Sequence, residues 1–280
     1  MSFDKKTTAE NGKNGNVAQQ IAQYNSPPYK NIFDAHAHYD DERFDDDRYE
    51  LFAALPQCGV CGILNNGTDI ETSKTVVDFA KKHEILYAAV GYHPTCLQGV
   101  PDDYLAQLEE LCRCSKTVAV GEIGLDYHYD DPKELQQKVF VQQLDFAKQM
   151  HLPVIVHDRD AHGDMLQILK QEKPNGIVHC FSGSEEMLRE VLKIGMHITL
   201  GGVVTFKNAV NPVKIAAAVP LDRLLLETDA PYLAPAPFRG KRCVSTMIAK
   251  TAEKIAEIKG IAPQELIDIT TENAKRIFKI

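Results

Sequence analysis

No run of apolar residues in this chain approaches the roughly 18 needed to cross a bilayer, so a helical membrane span is not expected. The first twenty residues, MSFDKKTTAENGKNGNVAQQ, lack the apolar stretch of a secretory leader, and Asp4 and Glu10 argue against an organelle transit peptide. A disulfide framework is missing too. The seven cysteines form no regular ladder, and Cys58-x-x-Cys61 has no second pair of its spacing to complete a zinc ribbon. A reducing compartment is therefore expected, cytoplasmic or nuclear. Basic charge is scarce: 31 Lys and Arg stand against 39 Asp and Glu, a net charge of -8. Proteins that grip duplex DNA along its phosphates usually carry a basic face. Any nucleic acid handled here would be held locally, by one end, with bound cations offsetting the acid.

What is present is an alternation. Strand-like runs fall at Asn31–His38, Gly59–Gly67, Leu86–Pro94, Thr117–Asp126, Pro153–Asp158, Gly176–Gly183, His197–Thr205 and Arg223–Asp229. Several, such as VAVGEIGL, PVIVH and RLLLETD, are nearly unbroken apolar stretches, as strands covered on both faces require. Amphipathic stretches separate them, and two further helical patterns follow the last strand. Eight β/α units without a composition break predict a single α/β domain over residues 31–280, a (β/α)8 TIM barrel with an extra C-terminal helix. The rival, a doubly wound open sheet, should show G-x-G-x-x-G after an early strand, and that motif does not occur. Residues 1–30 are expected to form a polar, disordered extension ending at Ser26-Pro27-Pro28.

Barrel active sites form at the C-terminal ends of the strands. Those ends hold His36 and His38 on the first strand, His93 on the third, Glu122 on the fourth, His157, His179, and Glu227 with Asp229 on the eighth. Period-two alternation puts His36 and His38 on one side, where they could share a metal. Buried convergent carboxylates need a cation to balance them, so a metal centre is expected. The remaining histidines are expected elsewhere. His151 and His197 belong to the opposite face, His83 to a helix end that favours a cation, and His128 and His162 to solvent near the mouth.

In order and spacing, DAHAHYD, GEIGLDY, VHDRDA, HCFSG, ETDAPYL and RGK closely resemble the TatD family of metal-dependent deoxyribonucleases, among the amidohydrolase-type metal barrels. The resemblance runs from Asn31 to Ile280. It implies two divalent metals, the first on His36, His38 and Asp229, the second on His157 and His179, with Glu122 bridging. It also suggests magnesium, although four imidazoles suit Zn, Mn or Fe at least as well. Two cations about 3.5–4 Å apart can activate water for in-line displacement at a phosphodiester. Asp229 is then the expected general base, with Glu122 the other catalytic carboxylate and Glu227 in support.

Arg159, Arg239, Lys241 and His93 are the expected substrate contacts, with Arg242 left to solvent and Tyr127 or Phe181 as candidate base-stacking rings. Two departures stand out. Ala37 and Tyr39 replace the usual Cys and Leu of the first block, and Cys243 to Thr246 lack the Asn and Pro that usually follow RGK-R. The leading expectation is a 3′-5′ exonuclease on single-stranded or frayed DNA ends, with RNA open and neither a membrane nor an obligate protein partner indicated. Rivals are an amidohydrolase-type hydrolase of small esters, amides or lactones, and a non-catalytic scaffold.

Overall fold

A computed structural model describes residues 17–280. Its eight parallel strands hydrogen-bond in chain order: β1 Ile32–Ala37, β2 Val60–Asn66, β3 Leu86–Val90, β4 Thr117–Asp126, β5 Val154–Arg159, β6 Gly176–Val178, β7 His197–Leu200 and β8 Leu224–Leu226. The first strand also meets the chain just past the last. The His38 amide donates to Ala230 O at 2.7 Å, and the Asp229 amide to His36 O at 3.0 Å. These bonds bring the sheet round to a nearly closed barrel, the fold that the β/α count predicts.

Helices α1 Arg48–Ala54, α2 Ile70–Lys82, α3 Tyr104–Cys112, α4 Lys133–Met150, α5 His162–Glu172, α6 Glu185–Ile194 and α7 Val210–Ala218 fill the connections. After β8 come α8 Ile248–Lys259 and α9 Pro263–Phe278. Amphipathic stripes on these helices pack outside the barrel, so the strands are covered on that side. Inside, β1 contributes Phe33 and Ala35, and most other strands a small or branched residue: Leu64, Ala89, Ala119, Ile155, Ile177 and Leu225. The end of α9 closes this interior from below. Ala274, Ile277 and Phe278 join the same cluster, and the Phe278 ring stacks on Phe33 with centroids 6.2 Å apart. Asn273 holds α9 there by donating to Leu221 O and Leu224 O. With one end plugged, ligand access falls to the other.

Several strands are shorter than the apolar runs suggest. The sixth stops at Val178, and the seventh turns into a 3-10 helix at Gly202–Thr205. The residues beyond these strand ends are where the polar side chains begin.

The expected disordered extension is corrected over residues 17–30, while residues 1–16 lie outside the described residues. A helical stretch over 17–22 sinks Ile21 into the core. Tyr24 packs edge-on against Phe238 at 4.7 Å. Asn25 then ties the segment down, donating to Tyr29 O and Cys58 O at 2.8 and 2.9 Å and accepting from the Tyr29 amide. Gly59 permits this approach, because a Cβ there would lie 2.2 Å from Tyr29 O at a φ of +92°. Val17, Ala18 and Ile21 lie one turn apart on this stretch, but six residues of helix are too short for a periodic signal to stand out beside the polar residues that precede them. All seven cysteines are unpaired.

Candidate metal centre

Strand alternation alone does not deliver the ligands. Phe33 and Ala35 already point into the lower barrel, so an unbroken period of two would turn His36 outward. The pairing register of β1 on β2 shifts between Asp34 and Ala37, where one extra residue fits. A bulge of this kind re-aims the following side chains, and here it brings His36 and His38 into the mouth. The same device recurs on β4, whose register on β5 shifts between Val120 and Ile123, on either side of Glu122. His157 and His179 need no correction, being in phase with Ile155 and Ile177.

The six residues converge. His36 Nε2 and His38 Nε2 lie 3.0 Å apart, at 3.4 and 3.2 Å from Glu122 Oε2, and each 3.7 Å from Asp229 Oδ1. Atoms bound to one ion at about 2.0–2.2 Å are separated from each other by roughly 3–3.6 Å, so this set fits a cation closely. The other oxygen of the same carboxylate, Glu122 Oε1, lies 2.8 Å from both His157 Nδ1 and His179 Nε2, which are themselves 3.2 Å apart. That second set is at hydrogen-bond spacing and would open by a few tenths of an ångström around an ion. Both groups are among the His and carboxylate clusters able to hold a metal, alongside His36–His179–Glu227 and His93–Asp126–His157.

Protonation tells the same story. Burial works against charge on His38, yet Glu122 and Asp229 outweigh it and raise its pKa to about 9. His179 is likewise lifted far above its ordinary value by Glu122 despite burial, and His157 is raised by Asp126 and Glu122. His36, buried and beside His179, falls to about 4. Glu122 is held well below the carboxylate range because its surrounding imidazoles outweigh its own burial. Burial lifts Asp229 to about 6. The buried carboxylates thus favour positive charge at the positions cations would take. The tautomers also suit metal binding. His38 Nδ1 faces Asn66 O at 3.0 Å, leaving Nε2 for the site.

These groups sit at the base of a cavity of about 450 Å³ lined also by Asp40, Asp41, Thr68, His93, Tyr129, Arg159 and Tyr232. His93 accepts from the Thr95 amide at Nδ1, which places its proton on Nε2, 3.6 Å from Glu122 Oε1. Burial lowers its pKa to about 3, so it is a neutral donor. Arg159 reaches the mouth near the Tyr129 ring, while Arg239 and Lys241 do not line the cavity. Arg239 stacks on Phe206 at 3.7 Å, and Lys241 lies near Tyr24 and Phe238. Arg242, expected in solvent, instead forms a two-pronged ion pair with Asp47 at 2.8 and 2.5 Å. His83 departs too: it packs 4.9 Å from Phe52 and burial lowers its pKa, so the basic charge at that helix end falls to Lys81 and Lys82. Phe181 is core, and Tyr127 is held by Asp164 and Gln137.

Four contributors escaped the sequence reading. Asp126 contacts His157 Nε2 at 3.1 Å, and its place four residues after Glu122 on one strand was the available signal. Asp34, fully buried, accepts from the Thr228 amide and hydroxyl and from Ser245 at 2.9, 2.6 and 2.7 Å, and so fastens the Asp229 loop to β1. Tyr129 and Tyr232 carried no signal, since exposed loop aromatics follow no period.

Comparison with known proteins agrees with this geometry. The family model described as TatD related DNase matches residues 33–279. An uncharacterized metal-dependent hydrolase of Bacillus subtilis, YabD, is 43% identical over 89% of this chain and 99% of its own. The 3′-5′ ssDNA/RNA exonuclease TatD of Cronobacter sakazakii is 33% identical over 88% and 97%. The crystal structure of YjjV, a TatD homologue from Escherichia coli, superposes with a TM-score of 0.84 at 34% identity, covering 89% of this chain and 98% of that one. The chain therefore belongs to the TatD-related DNase family of metal-dependent hydrolases.

Proposed function

We propose that this protein is a metal-dependent deoxyribonuclease that removes nucleotides from the 3′ end of single-stranded or frayed DNA, with RNA as a secondary substrate. The observation that carries the reading is the split of Glu122, whose two oxygens each face a separate set of imidazoles at the base of one cavity. A carboxylate so placed is suited to hold two divalent cations side by side. His36, His38 and Asp229 would hold one, and His157 with His179 the other. Magnesium is the expected ion, with manganese, zinc or iron compatible with the imidazole-rich donors. Bound there, the ions would supply an activated water and neutralise charge on a phosphodiester.

The chain's own groups take the remaining roles. Asp229 accepts the water's proton, and Asp34 steadies its loop through Thr228. Neutral His93 donates from Nε2 to a phosphate oxygen. Glu227, buried and bonded by the Thr199 hydroxyl, lies 3.8 Å from His179 Nδ1 and orients that ring. Among the described residues Arg159 is the only lysine or arginine lining the cavity, which suits one or two phosphates rather than a duplex track. Arg239 and Lys241 are exposed beyond the cavity and are assigned to the strand outside it. The relative from Cronobacter sakazakii carries a matching activity in its name. The test is digestion of end-labelled single- and double-stranded DNA with and without divalent ions. Stepwise loss from the 3′ end of the single strand, abolished by chelator, is expected; turnover of a lactone panel with intact DNA would overturn the reading.

A further inference from the structure

Four large apolar side chains are strongly exposed among the described residues, and two of them, Tyr129 at 53% and Tyr232 at 46%, line the cavity of the candidate metal centre. Single exposed aromatics need no explanation. These two differ in being placed by the topology. Tyr232 follows β8 and Tyr129 follows β4, and four strands apart in a ring of eight is diametrically opposite. The ligand cluster lies between them.

Each ring is approached by a guanidinium, and Tyr232 is also tied down by hydrogen bonds. Tyr232 donates its hydroxyl to Asp41 Oδ2 at 3.2 Å, its amide bonds Asp229 O at 2.8 Å, and Arg43 covers its ring at 4.1 Å. Arg159 sits 5.5 Å from the centre of Tyr129, and His128 meets that ring edge-on at 5.1 Å. Rings flanked in this way and still half exposed offer a π-face, and every nucleobase has a π-face to match.

We infer that Tyr129 and Tyr232 are two nucleobase-stacking subsites, one on each side of the scissile phosphate; this rests on the nuclease reading. Charge assigns their order. Asp40 and Asp41 line the cavity beside Tyr232, and Arg43 is already forked onto Asp41 at 2.8 Å by both nitrogens. That side repels further phosphates and takes the terminal nucleoside. On the opposite side Arg159 has no acidic partner within ion-pair distance among the described residues, so the continuing strand runs over Tyr129. Both bases must be unpaired to stack, which builds single-strand preference into the mouth.

The test is a cycle of variants and substrates. Tyr232→Leu, Tyr129→Leu and the corresponding Phe variants are assayed on a single strand that is intact, or lacks the base of its last or its penultimate 3′ nucleotide. Each Leu variant should raise KM on the intact strand about tenfold with kcat little changed, and each Phe variant should restore it. Tyr232→Leu should add nothing once the terminal base is gone, and Tyr129→Leu nothing once the penultimate base is gone. Anisotropy of a phosphorothioate-linked dinucleotide should show the same weakening without turnover. Wild-type KM in both Leu variants, or losses independent of which base is missing, overturns the assignment while leaving the nuclease reading intact. A wild-type protein that cleaves none of the strands overturns both.

Discussion

At Asp229 the proposed chemistry meets a single side chain, and Asp229→Ala should abolish hydrolysis while leaving the circular dichroism spectrum and unfolding transition intact. Turnover close to wild type would refute the assignment. Asp126 acts one step removed. It faces His157 Nε2 while Nδ1 faces Glu122, so Asp126→Asn should weaken metal binding by about 10–100-fold, measured by competition with a chelating dye. Unchanged affinity would show that His157 needs no such partner. His197 lies at the other end of the barrel, buried, with both ring nitrogens unbonded. Burial, aided by Arg223 and Arg276, lowers its pKa to about 4. A histidine depressed in the native state stabilises above its unfolded pKa of about 6.5, and that contribution is lost as pH falls towards 4. His197→Met should therefore lose about 2 kcal/mol less stability than wild type between pH 7 and 4.5 in denaturant titrations. Equal losses would contradict this.

The elements show where sequence and structure part. The ligand positions at strand ends were legible, because His, Glu and Asp interrupt apolar runs at Glu122, His157 and His179. Register shifts were not, since a bulge leaves no mark in composition; HxH alone gives the pair's shared side but not the extra residue that turns it inward. Asp34 was hidden for a related reason. It lies in an apolar strand as though it were a ligand, yet its partners, Thr228 and Ser245, are some two hundred residues away. The buried Ile21 belongs to a helical stretch too short to show a period, and the exposed Tyr129 and Tyr232 are single loop residues outside any periodic pattern. The two C-terminal helices were legible as helices, but not that the second would plug the barrel. That role makes Phe278→Ala costly: a loss of about 3–5 kcal/mol is expected on urea unfolding, with KM for DNA unchanged because the plug is opposite the mouth. A loss below about 1 kcal/mol would place the core elsewhere.

Across the whole molecule the acidic balance and the metal centre belong together. Acidic side chains outnumber basic ones, with a net charge of -8, and no helix of the described residues is long and apolar enough to cross a membrane. On the proposed reading, phosphates meet Arg159 inside the cavity and Arg239 and Lys241 outside it, so log KM against log salt should have a slope of only about 2–3, where a protein with many phosphate contacts shows about 10. Everything in this account depends on Glu122 standing between two cations. Equilibrium dialysis against Mn²⁺ followed by electron paramagnetic resonance measures both number and proximity. Two ions per chain with a spin-coupled spectrum, the coupling lost in Glu122→Gln, is the predicted result; a single ion, or two that do not couple, would contradict it.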